Sequence, residues 1–386
     1  MVFGFGKEWK ELNRFSKLSD KQRSIVFYAE NKASINHFRL LISELTEKKN
    51  LQICYVTSEK EDPLLLQEND NIHTFYIGDG TVRTKFFLTL KASILIMDMP
   101  DLETFHIKRS KVFPVHYIYI FHSMFSVHSY LRKGAIDNFD TIFCVGEHHK
   151  NEIRETEKIY GLKKKRLVEY GFGRLDTLLQ EKTKLEIKKL DKNNLIIITP
   201  SYGKDNLLEV CGIELIDILL KSNFKVLLRP HFRIFKESKN TIDKIKKRFD
   251  SNGNFQIEEG IIPPEKFHSS TCMISDWSGI SLEYAFTFER PVIFIDVPKK
   301  ELNPHSKDIS SEPIENIIRS KVGYVIPTDN LTKIPDIIKN IEKDPISENI
   351  GEILSKTVYN VMQSSKIGAN VIEDIHNEIS KDKKFS

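Results

Sequence analysis

Paired cysteines are missing from this sequence: Cys54, Cys144, Cys211 and Cys272 stand singly, with no CxxC pair and no Cys/His cluster. That pattern excludes a disulfide framework and a structural zinc site. Each thiol falls inside an apolar run or beside a helix, where a buried free cysteine is expected, and a reducing cytoplasm follows. No basic-then-apolar leader is present, and the longest apolar runs, such as Val112 to Phe121, are far too short to span a bilayer. Neither G-x-G-x-x-G nor G-x-x-x-x-G-K-[ST] occurs, which argues against dinucleotide-binding and P-loop enzymes. Charge of one sign is scarce as well. The 58 Lys and Arg exceed the 54 Asp and Glu by only four, too few for a protein that coats nucleic acid, though suited to one that handles anions.

The 386 residues, 40% hydrophobic and 29% charged, describe a folded chain too long for one ordinary core, so two domains are expected. Short apolar runs alternate with amphipathic stretches. Strands are expected at 25–29, 52–57, 73–77, 93–97, 117–121 and 141–145, with helices at 34–48, 85–91 and 147–160. A second series has strands at 195–199, 225–228, 255–258, 272–274, 292–296 and 324–326, and helices at 206–221 and 279–288. Strands apolar throughout and separated by helices imply parallel sheets covered on both faces, hence an α/β fold of two doubly wound, Rossmann-like domains. The expected bounds are 1–180, a charged linker at 181–194, a second domain at 195–348, and helices at 349–386 that cross back to the first domain. Ligands of such domains lie at the carboxyl ends of strands, facing a cleft. Near the start, Phe3, Phe5, Trp9, Leu12 and Phe15 interleave with Lys7, Lys10, Arg14 and Lys17. Two readings stay open there: peripheral contact with a membrane surface, or a helix packed on its own domain.

Candidate chemistry clusters at expected strand ends. The run Ser275-Asp276-Trp277-Ser278-Gly279 turns directly from a strand into a helix. Unpaired amides at that helix start, joined by the hydroxyls of Ser275 and Ser278 and by close approach over Gly279, make a phosphate seat. Asp276 would orient the turn and, with Glu283 one turn on, contact the ribose or nucleotide of a donor. Arg229-Pro230-His231 ends another strand, where Arg229 clamps phosphate and His231 donates to it or protonates a leaving group. Ser201, in Thr199-Pro200-Ser201-Tyr202-Gly203-Lys204, is a further phosphate contact, and Asn206 a helix cap. In the first half, His122 follows an apolar strand and suits a general base of ordinary pKa. His128 and Lys133 are weaker candidates, and His148 and His149 read as solvated surface.

Taken together and in this order, Ser275 to Ser278, Arg229-Pro230-His231, the strand-ending His122, Glu283 and the Gly171, Arg174, Asp176 segment resemble the CDP-glycerol glycerophosphotransferase family, which builds teichoic-acid-like poly(glycerol phosphate). The resemblance runs from about Tyr117 to Tyr324. It implies a GT-B arrangement with the donor on the second domain. A CDP-linked polyol phosphate would lose CMP as an acceptor hydroxyl attacks the β-phosphorus. The acceptor would be a glycan or poly(polyol phosphate), lipid-linked forms included. His122 would be the base; Arg229, His231 and the Ser278 and Gly279 amides would neutralise the pyrophosphate, with neither cofactor nor metal called for. The sequence departs from the family at Phe121-His122-Ser123, where Trp-His-Gly is usual, and at Phe232, where proline is. The same cleft would serve a nucleotide-sugar glycosyltransferase or epimerase, or a non-catalytic binding protein.

Overall fold

The computed structural model describes residues 6–187, 194–260, 262–299, 302–341 and 345–382. Contacts divide the chain into two compact units: Met1–Thr177 with Asn303–Ser311 and Thr357–Ser386, and Leu178–Leu302 with Glu312–Lys356. The chain therefore passes from one unit to the other four times.

In the first unit, seven strands form one sheet: β1 (Ile25–Ala29), β2 (Ile53–Thr57), β3 (Ile72–Tyr76), β4 (Ile94–Met97), β5 (His116–Ile120), β6 (Thr141–Cys144) and β7 (Arg166–Glu169). Their order is β3-β2-β1-β4-β5-β6-β7 and each neighbouring pair is parallel. β1 and β4 are the central pair, with Ile25 beside Ile94. They read as continuous apolar runs because both faces are covered by helices. Helices of nine or more residues are α1 (Lys7–Ser16), α2 (Ile35–Ser43), α3 (Thr81–Thr89), α4 (Glu147–Tyr160) and α5 (Gly173–Ile187), the last of which runs on into the second unit from Leu178. β7 was not expected; it carries Arg166 and Glu169 at exposed positions on the sheet edge, which erases the apolar signal.

α1 uses its apolar face inside this unit. Leu12 and Phe15 are buried, and the Phe15 ring stands edge-on to Phe75 and Phe86. Trp9 is half buried, with the Lys85 ammonium over its ring. The reading of a helix packed on its own domain is thus the one these residues obey; Phe3 and Phe5 lie outside the described residues. All four cysteines are free and buried, each thiol pushed up to about 12 by desolvation.

In the second unit, six strands form a sheet in the order β10-β9-β8-β11-β12-β13, again parallel throughout. They are β8 (Leu195–Thr199), β9 (Lys225–Leu228), β10 (Phe255–Ile257), β11 (Cys272–Ser275), β12 (Val292–Asp296) and β13 (Gly323–Pro327). Its helices of nine or more residues are α6 (Leu207–Lys221), α7 (Lys239–Phe249), α8 (Ile280–Phe288) and α9 (Pro345–Thr357). Ile196, Ile198, Leu215, Ile216, Ile274 and Ile293 centre the core. Of the expected charged linker, residues 181–187 continue α5, and 188–193 fall outside the described residues.

The chain returns to the first unit as α10 (Ser364–Asp382), whose Ala369, Ile372 and Ile375 are buried with Phe38 and Leu41 of α2. Each isoleucine so buried contributes roughly 1.5–3 kcal/mol. The segment leading into α10 docks on two glycines. A Cβ at Gly146 would stand 1.9 Å from the Thr357 carbonyl oxygen, and one at Gly171 (φ +101) 2.3 Å from that of Tyr359. Asp176 completes the dock, accepting hydrogen bonds from the Met362 amide and from the amide and hydroxyl of Ser364.

Candidate functional site

Strand order reverses direction at β8 and β11 in the second unit, so the crevice at their carboxyl ends is where a doubly wound sheet binds ligands. Asp276, directly after β11, is fully buried, and its carboxylate accepts from the Ser201 amide (2.7 Å) and the Leu207 amide (3.0 Å). It pins the loop from β8 to α6 across the switch point. Ribose contact by Asp276 is therefore corrected: both carboxylate oxygens serve buried amides. Ser275 is corrected likewise, since it is buried and its hydroxyl donates to the Thr199 carbonyl at 2.7 Å. Ser201 is also 95% enclosed, with its amide on Asp276 and its hydroxyl sealed away from solvent. In this conformation the polar side-chain atoms of all three are turned to the interior. Asn206 caps α6 through the Leu208 amide at 2.9 Å, as the sequence suggested.

Ser278 and Gly279, in contrast, are half exposed at the start of α8. No side chain caps that helix; the Ser278 carbonyl accepts from the amide and hydroxyl of Ser281. Glu283 lies in the first turn, partly exposed. After β9, Arg229 is half buried and its Nε reaches the Gly260 carbonyl at 3.5 Å. The His231 ring lies against Tyr202 and Phe232, with centres 4.6 and 4.4 Å apart. Its Nδ1 accepts the Arg233 amide at 3.3 Å, so in the neutral ring the proton sits on Nε2, a donor. Beside these residues is a cavity of about 410 Å³, of ligand size, lined by Tyr202, Lys204, Asp205, Arg233 and Lys299 among others. The Arg233 guanidinium covers the Tyr202 ring at 4.2 Å.

The first unit has its own switch point between β1 and β4. His122, just past β5, is half exposed, and its Nδ1 lies 3.2 Å from the Asp98 carbonyl. A carbonyl only accepts, so Nδ1 holds the hydrogen and Nε2 keeps its lone pair. Desolvation lowers the His122 pKa below its ordinary value, partly offset by that hydrogen bond, which corrects the expectation of an unshifted imidazole. Asp98 is buried; desolvation raises its carboxyl to about 7, and Ser34 donates to it at 3.0 Å. The edge of a second imidazole, His37 on α2, approaches His122 with ring centres 6.3 Å apart. Desolvation, then the neighbouring His122 and Arg174, hold His37 well below the usual histidine pKa.

Asp98, Ser34 and His37 escape a reading built on motifs, although Asp98 directly follows an expected strand and the switch-point rule points there. His148 and His149 are corrected from solvated surface. His149 is fully buried, and the two rings contact the Met124 and Phe125 carbonyls at 3.0 and 2.8 Å. With Glu152, which accepts the Val127 and His128 amides, they fasten the loop that follows His122. His128 is buried against Glu152 at 2.9 Å, and the exposed Lys133 sits over the Tyr160 ring. Among the described residues no three His, Cys, Asp or Glu side chains gather as metal ligands would.

Two parallel doubly wound units, each with polar groups at its switch point, make up a GT-B fold. The chain belongs to the family described as CDP-glycerol:poly(glycerophosphate) glycerophosphotransferase, whose model matches residues 11–309. Among solved structures it resembles a variant of the wall teichoic acid polymerase TagF, at 15% identity and TM-score 0.60, covering 97% of this chain and 95% of that one. It also resembles the UDP-GlcNAc 2-epimerases of Neisseria meningitidis (16%, TM-score 0.59, 91% and 100% covered) and Methanocaldococcus jannaschii (14%, TM-score 0.56, 91% and 99% covered). No curated protein matches the chain.

Proposed function

We propose that this chain transfers glycerol phosphate, or a similar polyol phosphate, from a CDP-linked donor to a hydroxyl of a cell-surface polymer, releasing CMP. Family membership supplies the reaction class. The observation that carries the mechanism is the tautomer of His122: with Nδ1–H held by the Asp98 carbonyl, Nε2 is oriented as a proton acceptor. The acceptor hydroxyl gives its proton to Nε2 while its oxygen bonds to the β-phosphorus. The bond from that phosphorus to the bridging oxygen breaks, and CMP departs with the electron pair. Arg229, the Nε2–H of His231, the Ser278 hydroxyl and the amides at Ser278 and Gly279 would meet the pyrophosphate charge. Buried free thiols fit work in a reducing compartment, and lipid linkage of the acceptor belongs to the same proposal.

The test is incubation with CDP-glycerol and a poly(glycerol phosphate) primer. CMP release that depends on the primer, with polymer growth, is the expected result. UDP release from UDP-GlcNAc with CDP-glycerol untouched would replace this reading with a nucleotide-sugar reaction.

A further inference from the structure

His37 has no place in the reaction as written, yet its ring, carried on α2, is a direct neighbour of His122, as is that of Tyr130. Two contacts fix its surroundings. Its backbone amide donates to the Ser34 carbonyl at 3.0 Å, and Ser34 in turn donates to Asp98, the residue whose carbonyl orients His122. Phe172 packs against the ring, with centres 5.7 Å apart. Among the described residues, the His37 Nδ1 is sealed from solvent and has no hydrogen-bond partner.

That last fact sets the proton. A neutral imidazole carries one N–H, and a buried N–H without an acceptor is rarer in proteins than an under-used acceptor. The hydrogen of His37 therefore sits on Nε2, the opposite tautomer to that of His122. One ring offers an Nε2–H and the other an Nε2 lone pair. Two hydrogen bonds of about 2.8 Å to a single oxygen need nitrogens about 4–5 Å apart, which ring centres 6.3 Å apart allow.

We propose that His37 and His122 clasp the acceptor hydroxyl between them, His37 Nε2–H donating to its oxygen while His122 Nε2 takes its hydrogen. A hydroxyl is the group that both gives and receives. A phosphate has no hydrogen for His122, and a protonated amine has no lone pair for His37. As the proton passes to His122 the oxygen gains negative charge, and the bond from His37 strengthens in the transition state. The neighbouring guanidinium of Arg174 opposes a second cation at His37, so the donor stays neutral. His37 is thereby a specificity residue for polyol acceptors. This inference rests on His122 being the base.

Two measurements test it. Nitrogen-15 NMR of the resting full chain, assigned with His37→Gln and His122→Gln, should show His37 as the Nε2–H tautomer and His122 as Nδ1–H. A His37 carrying its hydrogen on Nδ1 overturns the proposal whatever the substrate. With CDP-glycerol and the primer, His37→Leu should lower kcat/KM for the acceptor by about tenfold or more while the KM for CDP-glycerol is unchanged. His37→Gln, which keeps a donor near the Nε2 position, should recover most of that loss. Equal losses in both variants, or a loss shared by the donor, would mean that His37 only supports the fold. Should CDP-glycerol yield no CMP at all, the proposed transfer fails, and the tautomer pair stands or falls on the NMR spectrum alone.

Discussion

At the scale of single residues, His122 ties structure to a measurable profile. Its pKa is lowered from 6.5 by desolvation, so the base is unprotonated from below that value upward. The acceptor kcat/KM should rise with pH through an inflection under 6.5, a limb that His122→Ala abolishes together with transfer while donor affinity stays nearly intact. Stability carries the same sign from His149, also held well below 6.5 by desolvation. The unfolded chain takes up its proton first, so this stabilisation is present above about pH 6.5 and is lost as pH falls. Asp98, raised to about 7, works oppositely between its unfolded value of 3.8 and 7. In the second unit, Arg229→Ala and Ser278→Ala should each weaken donor binding by ~1–3 kcal/mol in calorimetry. Asp276→Ala should instead leave two buried amides unpaired and lower the unfolding free energy by about 2–5 kcal/mol.

Among the elements, every strand but β7 was legible in the sequence to within a residue at each end. β1, β2, β4, β8, β11 and β12 emerge within a residue or so of expectation because nothing polar interrupts them. The run from Ser275 to Gly279 was legible as a turn but not as a division of labour. A hydroxyl or carboxylate at a strand end serves the crevice or the interior depending on which way the chain bends after it, and local sequence does not fix that bend. The histidines show the same limit: His148 and His149 open a helix with polar neighbours, yet the loop after β5 folds over them. The Gly171–Asp176 motif divides too, into a dock for the segment before α10 and an arginine beside His37. Gly171→Ala should lose about 2–4 kcal/mol in chemical denaturation, because φ +101 and the Tyr359 carbonyl both exclude a Cβ.

For the whole molecule, segment Asn303–Ser311 leaves the second unit's stretch of chain to dock on the first. Its anchor is Glu155, whose carboxylate accepts from the amides and hydroxyls of Ser310 and Ser311 at 2.6–3.2 Å. Desolvation pushes the Glu155 pKa up, but those bonds prevail and hold it at about 2. The anchor therefore persists at neutral pH and weakens as acid protonates it. Limited proteolysis should cut 303–311 faster in Glu155→Ala than in the parent chain; equal rates would show that the other contacts suffice.

The return of α10 to the first unit has a consequence for the order in which the protein can form. The sheet face under α2 stays unfilled until Ala369, Ile372 and Ile375 have been synthesised. All residues of the second unit precede them. At about 5–20 residues per second, the stretch from Thr177 to Thr357 occupies roughly 10–40 s on the ribosome. The half encoded first is thus the half completed last. During that interval its apolar surface is open to chaperones, and a chain arrested before α10 would present a finished second unit beside an unsealed first.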